Sequence, residues 1–522
     1  MPFACLRAVM LAAAIAAGWA TPALAATSGT SSTIQWLPAA TDADIERAFA
    51  QARNEKKPVL LYWGAQWCPP CNQLKATLFN RQDFIERSRA FVAVQVDGDR
   101  PGAQKLGSRF KVRGYPTMIL FDTQGREITR LPGEVDAPQV MQVLQLGLSN
   151  GRPVKAVLAD ARAGKPLQAN EWRLLAFYSW GTDEQQLVPE AERGALLARL
   201  AASCPDAQSA MRLQLKSLAE AQAGAKPDAA LRERVHQLLA DPVASRAQMD
   251  VLANASEDIV KALASADPGG RDALIERFDS ALARLQADAS LSRADRFGAL
   301  LQRVELARLH AGAADEVLRV RLPEPLLKSL REQAARDDRE IADGYERQAV
   351  ITTAAHALRR AGLVTESDAL LKANLARSHS PYYLMSQLAG NAKARGDKAD
   401  ALNWYQQAYE KSEGPATRLQ WGASYVSALV DLAPEDGVRI EKAVRQLWTE
   451  AGAQPNAFYE RSARSLQRVA AKLHAWNAGG RHAAAMRRLT AQLQQVCARL
   501  PAADPQRAAC EGLLKPPAQK SA

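Results

Sequence analysis

The apolar positions of this chain follow two different rhythms. Up to about residue 150, short apolar runs alternate with amphipathic stretches. Val59 to Trp63, Phe91 to Asp97 and Thr117 to Phe121 each read as a buried strand, and Ile34 to Leu37 as a short one. Between them, Thr41 or Asp42 can cap a helix through Asn54, Pro101 to Phe110 reads as a short helix and Ala137 to Leu148 as a closing one. Asp122-Thr123-Gln124-Gly125 reads as a hairpin turn into a strand over Glu127 to Leu131. Strands and helices in that order predict an α/β domain around a central sheet over residues 34–150.

From Gly151 onward the rhythm is helical almost to the end. Breaks fall at Asn150-Gly151-Arg152-Pro153, Gly164-Lys165-Pro166, Gly181-Thr182, Cys204-Pro205-Asp206, Asp241-Pro242, Asp267-Pro268-Gly269-Gly270 and Leu322-Pro323. Their spacing suits stacked helical hairpins. Ala355, Gly362, Leu371 and Pro381 recur 34 residues later as Ala389, Gly396, Tyr405 and Pro415, and Ala423 extends the series before Asp431 to Gly437 disturbs it. Ala401 and Ala408 fit the second helix of the better copy. The period and its small residues resemble tetratricopeptide repeats, which stack into a concave surface for peptides or partners; a plain spacer is the other reading. The expected division is a helical domain over 151–345, then tetratricopeptide-like repeats and a C-terminal helical hairpin over 346–522.

The N-terminus carries Arg7, an apolar run from Ala8 to Ala20, and Ala23-Leu24-Ala25, which fits the small-x-small rule for a cleaved export signal. The expected leader is residues 1–25, with a mature chain from Ala26 that is periplasmic or secreted. Cys5 precedes the apolar run and so cannot be a lipid-bearing cysteine at a cleavage site. No stretch approaches the roughly 18 apolar residues of a membrane helix, so no membrane insertion is expected. The formal net charge of +11 comes from basic and acidic residues that alternate along helix faces, without a basic run interleaved with aromatics, which argues against nucleic acid as a partner.

Candidate chemistry concentrates in Trp67-Cys68-Pro69-Pro70-Cys71, directly after the strand Val59 to Trp63 and before the helix-compatible Asn72 to Ala76. That order places Cys68 at a helix N-terminus, where unpaired backbone N–H groups and the helix dipole favour a thiolate, the species that attacks disulfides. Zinc would need further Cys or His ligands, and the first 150 residues contain no histidine. A permanently closed pair would add little, because the ring is too small to restrict the unfolded chain much. Elsewhere, Cys497 and Cys510 are level across the break Leu500 to Pro505 and are expected to form a structural disulfide. That leaves Cys204 as the odd cysteine, either a small buried apolar residue or a reactive thiol before Asp206. His236, His310, His356, His379, His474 and His482 show no ligand or triad spacing, and no metal or cofactor is expected.

The first 150 residues resemble the thioredoxin superfamily, through the strand Val59 to Trp63, the WCPPC motif, Gly114-Tyr115-Pro116-Thr117 before an apolar strand, and the turn glycines Gly125 and Gly133. Lys56-Lys57-Pro58-Val59 and Thr77-Leu78-Phe79 look more like periplasmic thioredoxin-like modules, such as the C-terminal domain of transmembrane electron carriers. The resemblance implies Cys68 as the exposed attacking thiolate, Cys71 as the buried resolving thiol and Pro116 as a cis-proline beside them. It also implies Trp67 and the Tyr115 backbone as substrate contacts. An ordinary turn proline is the plainer reading of Pro116. One position departs from the pattern: thioredoxins carry a buried acid six residues before the first cysteine, and here that residue is Tyr62.

The expected function is exported thiol–disulfide oxidoreductase, exchanging with protein thiols and disulfides and with an upstream electron donor or acceptor protein, the repeats choosing partners. Two alternatives stand beside it: a helical binding or assembly protein whose cysteine pair only latches partners, and a disulfide isomerase. The Pro-Pro dipeptide does not fix the direction of electron flow, which the partners' potentials decide.

Overall fold

A computed structural model describes residues 33–149, 151–221, 227–265, 268–312 and 321–515. The expected leader with Cys5, and Asn150 and Asp267 of the expected breaks, lie outside these residues.

The α/β domain begins with β1 (Leu37–Ala39) and α1 (Asp42–Glu55). Thr41 caps α1, its hydroxyl accepting from the Asp44 N–H while the Asp44 carboxylate accepts from the Thr41 N–H. There follow β2 (Val59–Gly64), α2 (Pro69–Thr77), α3 (Gln82–Arg87), β3 (Val92–Asp97), α4 (Ala103–Arg109), β4 (Thr117–Phe121), β5 (Glu127–Leu131) and α5 (Ala137–Leu148). The sheet order is β1-β3-β2-β4-β5, with β1, β3 and β2 parallel and β4 and β5 antiparallel additions. Every residue of central β2 is buried, and its alternate side chains supply two cores. Leu61 and Trp63 meet Val94, Ile119 and α1, whereas Leu60 and Tyr62 meet Leu74, Phe84, Leu120 and α5.

The helical region consists of α6 (Val154–Arg162), α7 (Ala169–Ala176), α8 (Glu190–Ser203), α9 (Ala207–Ala219), α10 (Ala229–Ala240), α11 (Pro242–Ala247), α12 (Met249–Ala264), α13 (Arg271–Ala287), α14 (Arg293–His310) and α15 (Glu324–Glu340). It continues with α16 (Gly344–Arg360), α17 (Val364–Asn374), α18 (Pro381–Ala394), α19 (Lys398–Lys411), α20 (Pro415–Leu432), α21 (Gly437–Gly452), α22 (Glu460–Trp476), α23 (Ala483–Ala498) and α24 (Pro505–Gly512). The 34-residue recurrence has a structural counterpart. Gly362 and Gly396, with φ of +81° and +79°, follow the ends of α16 and α18, where the left-handed turn favours glycine. Pro381 and Pro415 start α18 and α20, and Ala355 and Ala389 are fully buried. No helix among the described residues is long and apolar enough to cross a membrane.

The first helices after residue 151 continue the core of the α/β domain: Val157, Trp172, Leu175 and Phe177 join the cluster of Leu60, Leu120 and Leu144. Farther along, the array returns to the domain. Arg246 pairs with Asp136 at 2.7 Å, Gln73 of α2 donates to Asp295 at 2.6 Å, α16 packs along α2, and α22 packs on α4. The helices therefore pack on the α/β domain at β5 and α5, at α2 and at α4, and close over the N-terminal end of α2. At the far end, Cys497 of α23 and Cys510 of α24 are paired, their Cα atoms 5.6 Å apart.

Arg130 on β5 fastens the first of these joints. Fully buried, it pairs with Glu127 at 2.8 Å and donates to the carbonyls of Phe110, Lys111 and Thr182 at 2.6, 2.7 and 3.0 Å. Arg130→Met should lower unfolding free energy by about 3–5 kcal/mol, because it leaves Glu127 without its cation and three carbonyls without that donor. Urea denaturation followed by circular dichroism checks this; a loss below about 1 kcal/mol would show that the joint is solvated.

Candidate functional site

β2 carries the chain to the top of the sheet, where the loop Ala65 to Trp67 turns it into α2. Asn72, fully buried, fixes that loop by donating to the carbonyls of Gln66 and Cys68 at 2.7 and 2.8 Å. Cys68 is the N-cap of α2 and Pro69 and Pro70 are its first residues. Because prolines lack an N–H, the Cys71 amide is the first donor the helix end presents, and it points at Cys68 Sγ from 3.3 Å. Cys68 and Cys71 are paired, their Cα atoms 5.3 Å apart, and Cys71 is fully buried.

The Tyr115–Pro116 peptide is cis, and the Tyr115 carbonyl oxygen lies 3.7 Å from Cys68 Sγ. Gln104 donates to the Tyr115 hydroxyl at 3.0 Å and to the Gly98 carbonyl at 2.7 Å. A Cβ at Gly98 would come within 2.4 Å of that hydroxyl, so the close approach requires glycine there.

The expectation of an exposed Cys68 does not hold: the residue is only 3% exposed, because α16, α18, α20 and α22 come down around its loop. Trp67 stacks on Tyr383 with ring centroids 6.0 Å apart and meets Trp421 edge-on at 5.2 Å. The Arg461 guanidinium lies 5.2 Å from the Trp67 ring centroid and 5.3 Å from that of Tyr115. Buried Asp99, just beyond β3, joins these groups. It accepts from the Trp67 indole at 3.1 Å, from Arg461 at 2.6 Å and from the Thr417 hydroxyl. Arg461 is largely buried, which alone would weaken its hold on the proton; Tyr115, Asp99 and Asp97 more than offset that and push its pKa up. Gln348 of α16 donates to the Trp67 carbonyl at 3.4 Å.

At the end of β2, between α2 and the start of α16, lies a cavity of about 430 Å³, lined by Tyr62, Lys75, Asp97, Tyr345 and His379 among others. The Tyr62 hydroxyl is buried without a hydrogen-bond partner, and burial, with Asp97 nearby, pushes its pKa upward. Burial also raises Asp97 and lowers Lys75, whose ammonium sits 4.9 Å from the Tyr345 ring centroid. His379 Nε2 lies 3.2 Å from the Gln66 carbonyl, and burial favours its neutral form.

The structure thus brings together Trp67, Cys68, Cys71, Tyr115 and Pro116. Sequence reasoning missed Asp99, Thr417, Trp421, Arg461 and His379. The only trace of them is the gathering of aromatics Tyr382, Tyr383, Trp404, Tyr405, Tyr409, Trp421 and Tyr425 in an otherwise aromatic-poor region. Cys204 stands apart, half-buried at the C-terminal end of α8, its Sγ 3.5 Å from the Asp206 carbonyl; burial raises its pKa. Among the described residues, no group of three or more His, Cys, Asp or Glu is placed to hold a metal ion.

Residues 45–147 match the family described as Thioredoxin-like domain. The thiol:disulfide interchange protein DsbD of Yersinia pestis (strain Pestoides F) is 36% identical over 117 residues, 22% of this chain and 19% of that protein. The protein of the same name from Cronobacter sakazakii is 37% identical over 103 residues, 19% of this chain and 18% of that protein. The chain therefore spans about a fifth of the length of these curated relatives. Among solved structures, a thioredoxin from Thermus thermophilus is 24% identical, covering 23% of this chain and 90% of that one, with a TM-score of 0.20.

Asp99→Ala should loosen the helices over Cys68, since it strips Arg461 and the Trp67 indole of their common acceptor. In reduced protein, alkylation of Cys68 by a bulky maleimide should accelerate about tenfold, equivalent to about 1.4 kcal/mol of opening. Iodoacetamide, a far smaller reagent, should change much less. Equal rates in both proteins would show that Asp99 does not hold the cover.

Proposed function

We propose that the protein is an exported thiol–disulfide oxidoreductase that works through its WCPPC motif. The observation that carries this reading is the Cys68–Cys71 pair at the start of α2, with Cys68 Sγ facing the Cys71 N–H and the cis Tyr115–Pro116 peptide. A thiolate at Cys68 is stabilised there by the amide and the helix dipole. In the reduced protein it attacks one sulfur of a partner disulfide, forming a mixed disulfide and expelling the other partner sulfur as a thiolate. The Cys71 thiolate then attacks Cys68 Sγ, releases the second partner thiolate and closes the Cys68–Cys71 bond. Two electrons pass from the dithiol to the partner, and the two thiol protons go to the released sulfurs or to solvent. The reverse sequence oxidises a partner dithiol, and relative potentials choose the direction.

Trp67, Tyr115 and Pro116 are the substrate-side contacts in this reading. The leader of residues 1–25 delivers the chain to the periplasm or outside, where protein thiols and disulfides and an upstream donor or acceptor protein are its partners. The tetratricopeptide-like repeats shape which partners reach Cys68. The Cys497–Cys510 bond is a structural staple of the last helices.

Two tests follow. Cys68→Ser should abolish exchange with a model disulfide, while Cys71→Ser should accumulate mixed disulfides on Cys68; full activity in Cys68→Ser would remove the enzyme reading. Replacing both Cys497 and Cys510 by Ser should cost about 3 kcal/mol of stability, the loop-entropy value for a closed ring of this size. An unchanged melting temperature would show that this bond does not staple the fold.

A further inference from the structure

Beside Cys68 lies a cleft of about 370 Å³ between the Arg113 to Tyr115 loop and α22. Trp67 and Tyr383, stacked on each other, line it together with Cys68, and α22 contributes Glu460, Arg461, Arg464, Ser465 and Arg468. A space of about 370 Å³ matches the size of a small compound or a thin extended segment.

Its charge is uneven. Arg113, Arg461, Arg464 and Arg468 line it, against one lining carboxylate, Glu460. Arg461, Arg464, Ser465 and Arg468 fall at the helical spacing that puts them on one face of α22. Most of these charges are already paired: Arg461 with Asp99, Arg464 with Glu460 at 2.9 Å, and Arg113 with Glu190 at 2.7 Å. Arg464 is also bound to the Arg113 carbonyl at 3.1 Å, which holds it against the loop. Arg468 is different. Its hydrogen-bond partner among the described residues is the Ser465 hydroxyl at 3.1 Å, and no carboxylate pairs with it. Like charges four apart on a helix face destabilise it slightly, so Arg464 and Arg468 give nothing to the fold by standing together. A concave site with net positive charge concentrates anions.

We infer that this cleft selects disulfides flanked by carboxylates, with Arg468 and its neighbour Arg464 receiving the carboxylate while the disulfide reaches Cys68. The inference rests on the oxidoreductase reading and narrows its substrate class. The acidic group can belong to a small thiol compound or to an acidic extended segment of a protein.

The test uses the reduced full chain and two aromatic disulfides, the dianionic 5,5′-dithiobis(2-nitrobenzoate) and the neutral 4,4′-dithiodipyridine. Arg468→Gln should lower the ratio of anionic to neutral rate about fivefold at low ionic strength, as expected for one charge met near the surface, and Arg464→Gln/Arg468→Gln should lower it further. Raising salt to about 1 M should erase the wild-type preference. A ratio unchanged by substitution and by salt, with the neutral disulfide still reacting, overturns the selection and leaves the oxidoreductase reading intact. Failure of the wild-type protein with both disulfides overturns that reading, and the selection with it. Oxidised glutathione and a synthetic peptide with Asp beside its disulfide then distinguish the two sources. A faster rate than that of the Asn-substituted peptide supports acidic segments, and a fivefold loss with glutathione in Arg468→Gln supports small compounds; absence of both effects overturns the inference.

Discussion

One carboxylate, Asp99, holds three distant parts of the chain at the redox motif. It receives the indole of Trp67, the hydroxyl of Thr417 and the guanidinium of Arg461, so the loop before Cys68, α20 and α22 are all referred to the same two oxygens. Removing one side of such a largely buried pair leaves the other charge without compensation, which costs more than the loss of a surface ion pair. Geometry reinforces it. Gly414, at the start of α20 with φ of +85°, lies so close that a Cβ there would meet the Asp99 Cβ at 2.7 Å. The helical cover is therefore seated on the sheet at its redox end rather than tethered to it by a linker.

This seating changes what the helical region does. An open concave surface would stand apart from the cysteine pair, whereas here the helices supply walls around it. Trp67 is packed between Tyr383 and Trp421, and the two cavities on either side of the cysteine pair are lined by groups from both parts of the chain. His379 and Tyr345 lie beside Tyr62, where the thioredoxin pattern would place an acid. Access, charge and polarity around the sulfurs thus come from both the α/β domain and the helices.

Much of the α/β domain was legible because its signals are local. The apolar runs Val59 to Trp63 and Thr117 to Phe121 became β2 and β4 with almost unchanged ends, Thr41 capped α1, and the pair Cys68 and Cys71 fell at the start of α2 as its spacing requires. The buried alanines and turn glycines of α16 to α19 were legible too, since close helix packing selects small residues at a fixed period. What escaped was everything set by contacts far apart in sequence. Nothing near Asp99 announces Arg461, which lies 362 positions away, and an ion pair across that span has no local pattern. The exposure expected for Cys68 failed for the same reason, because it treated the domain as if it stood alone. α3 escaped as well, its six residues being too few to show a period.

The sequence order of these contacts also orders events in time. The sheet and its first helices are complete by about residue 203, but the groups that close over Cys68 arrive only with α16 to α22. A chain that folds from its N-terminus as it emerges holds its redox domain before it holds the cover. During that interval Cys68 has no wall of helices around it, and the sulfur that is nearly buried in the finished molecule is open to solvent.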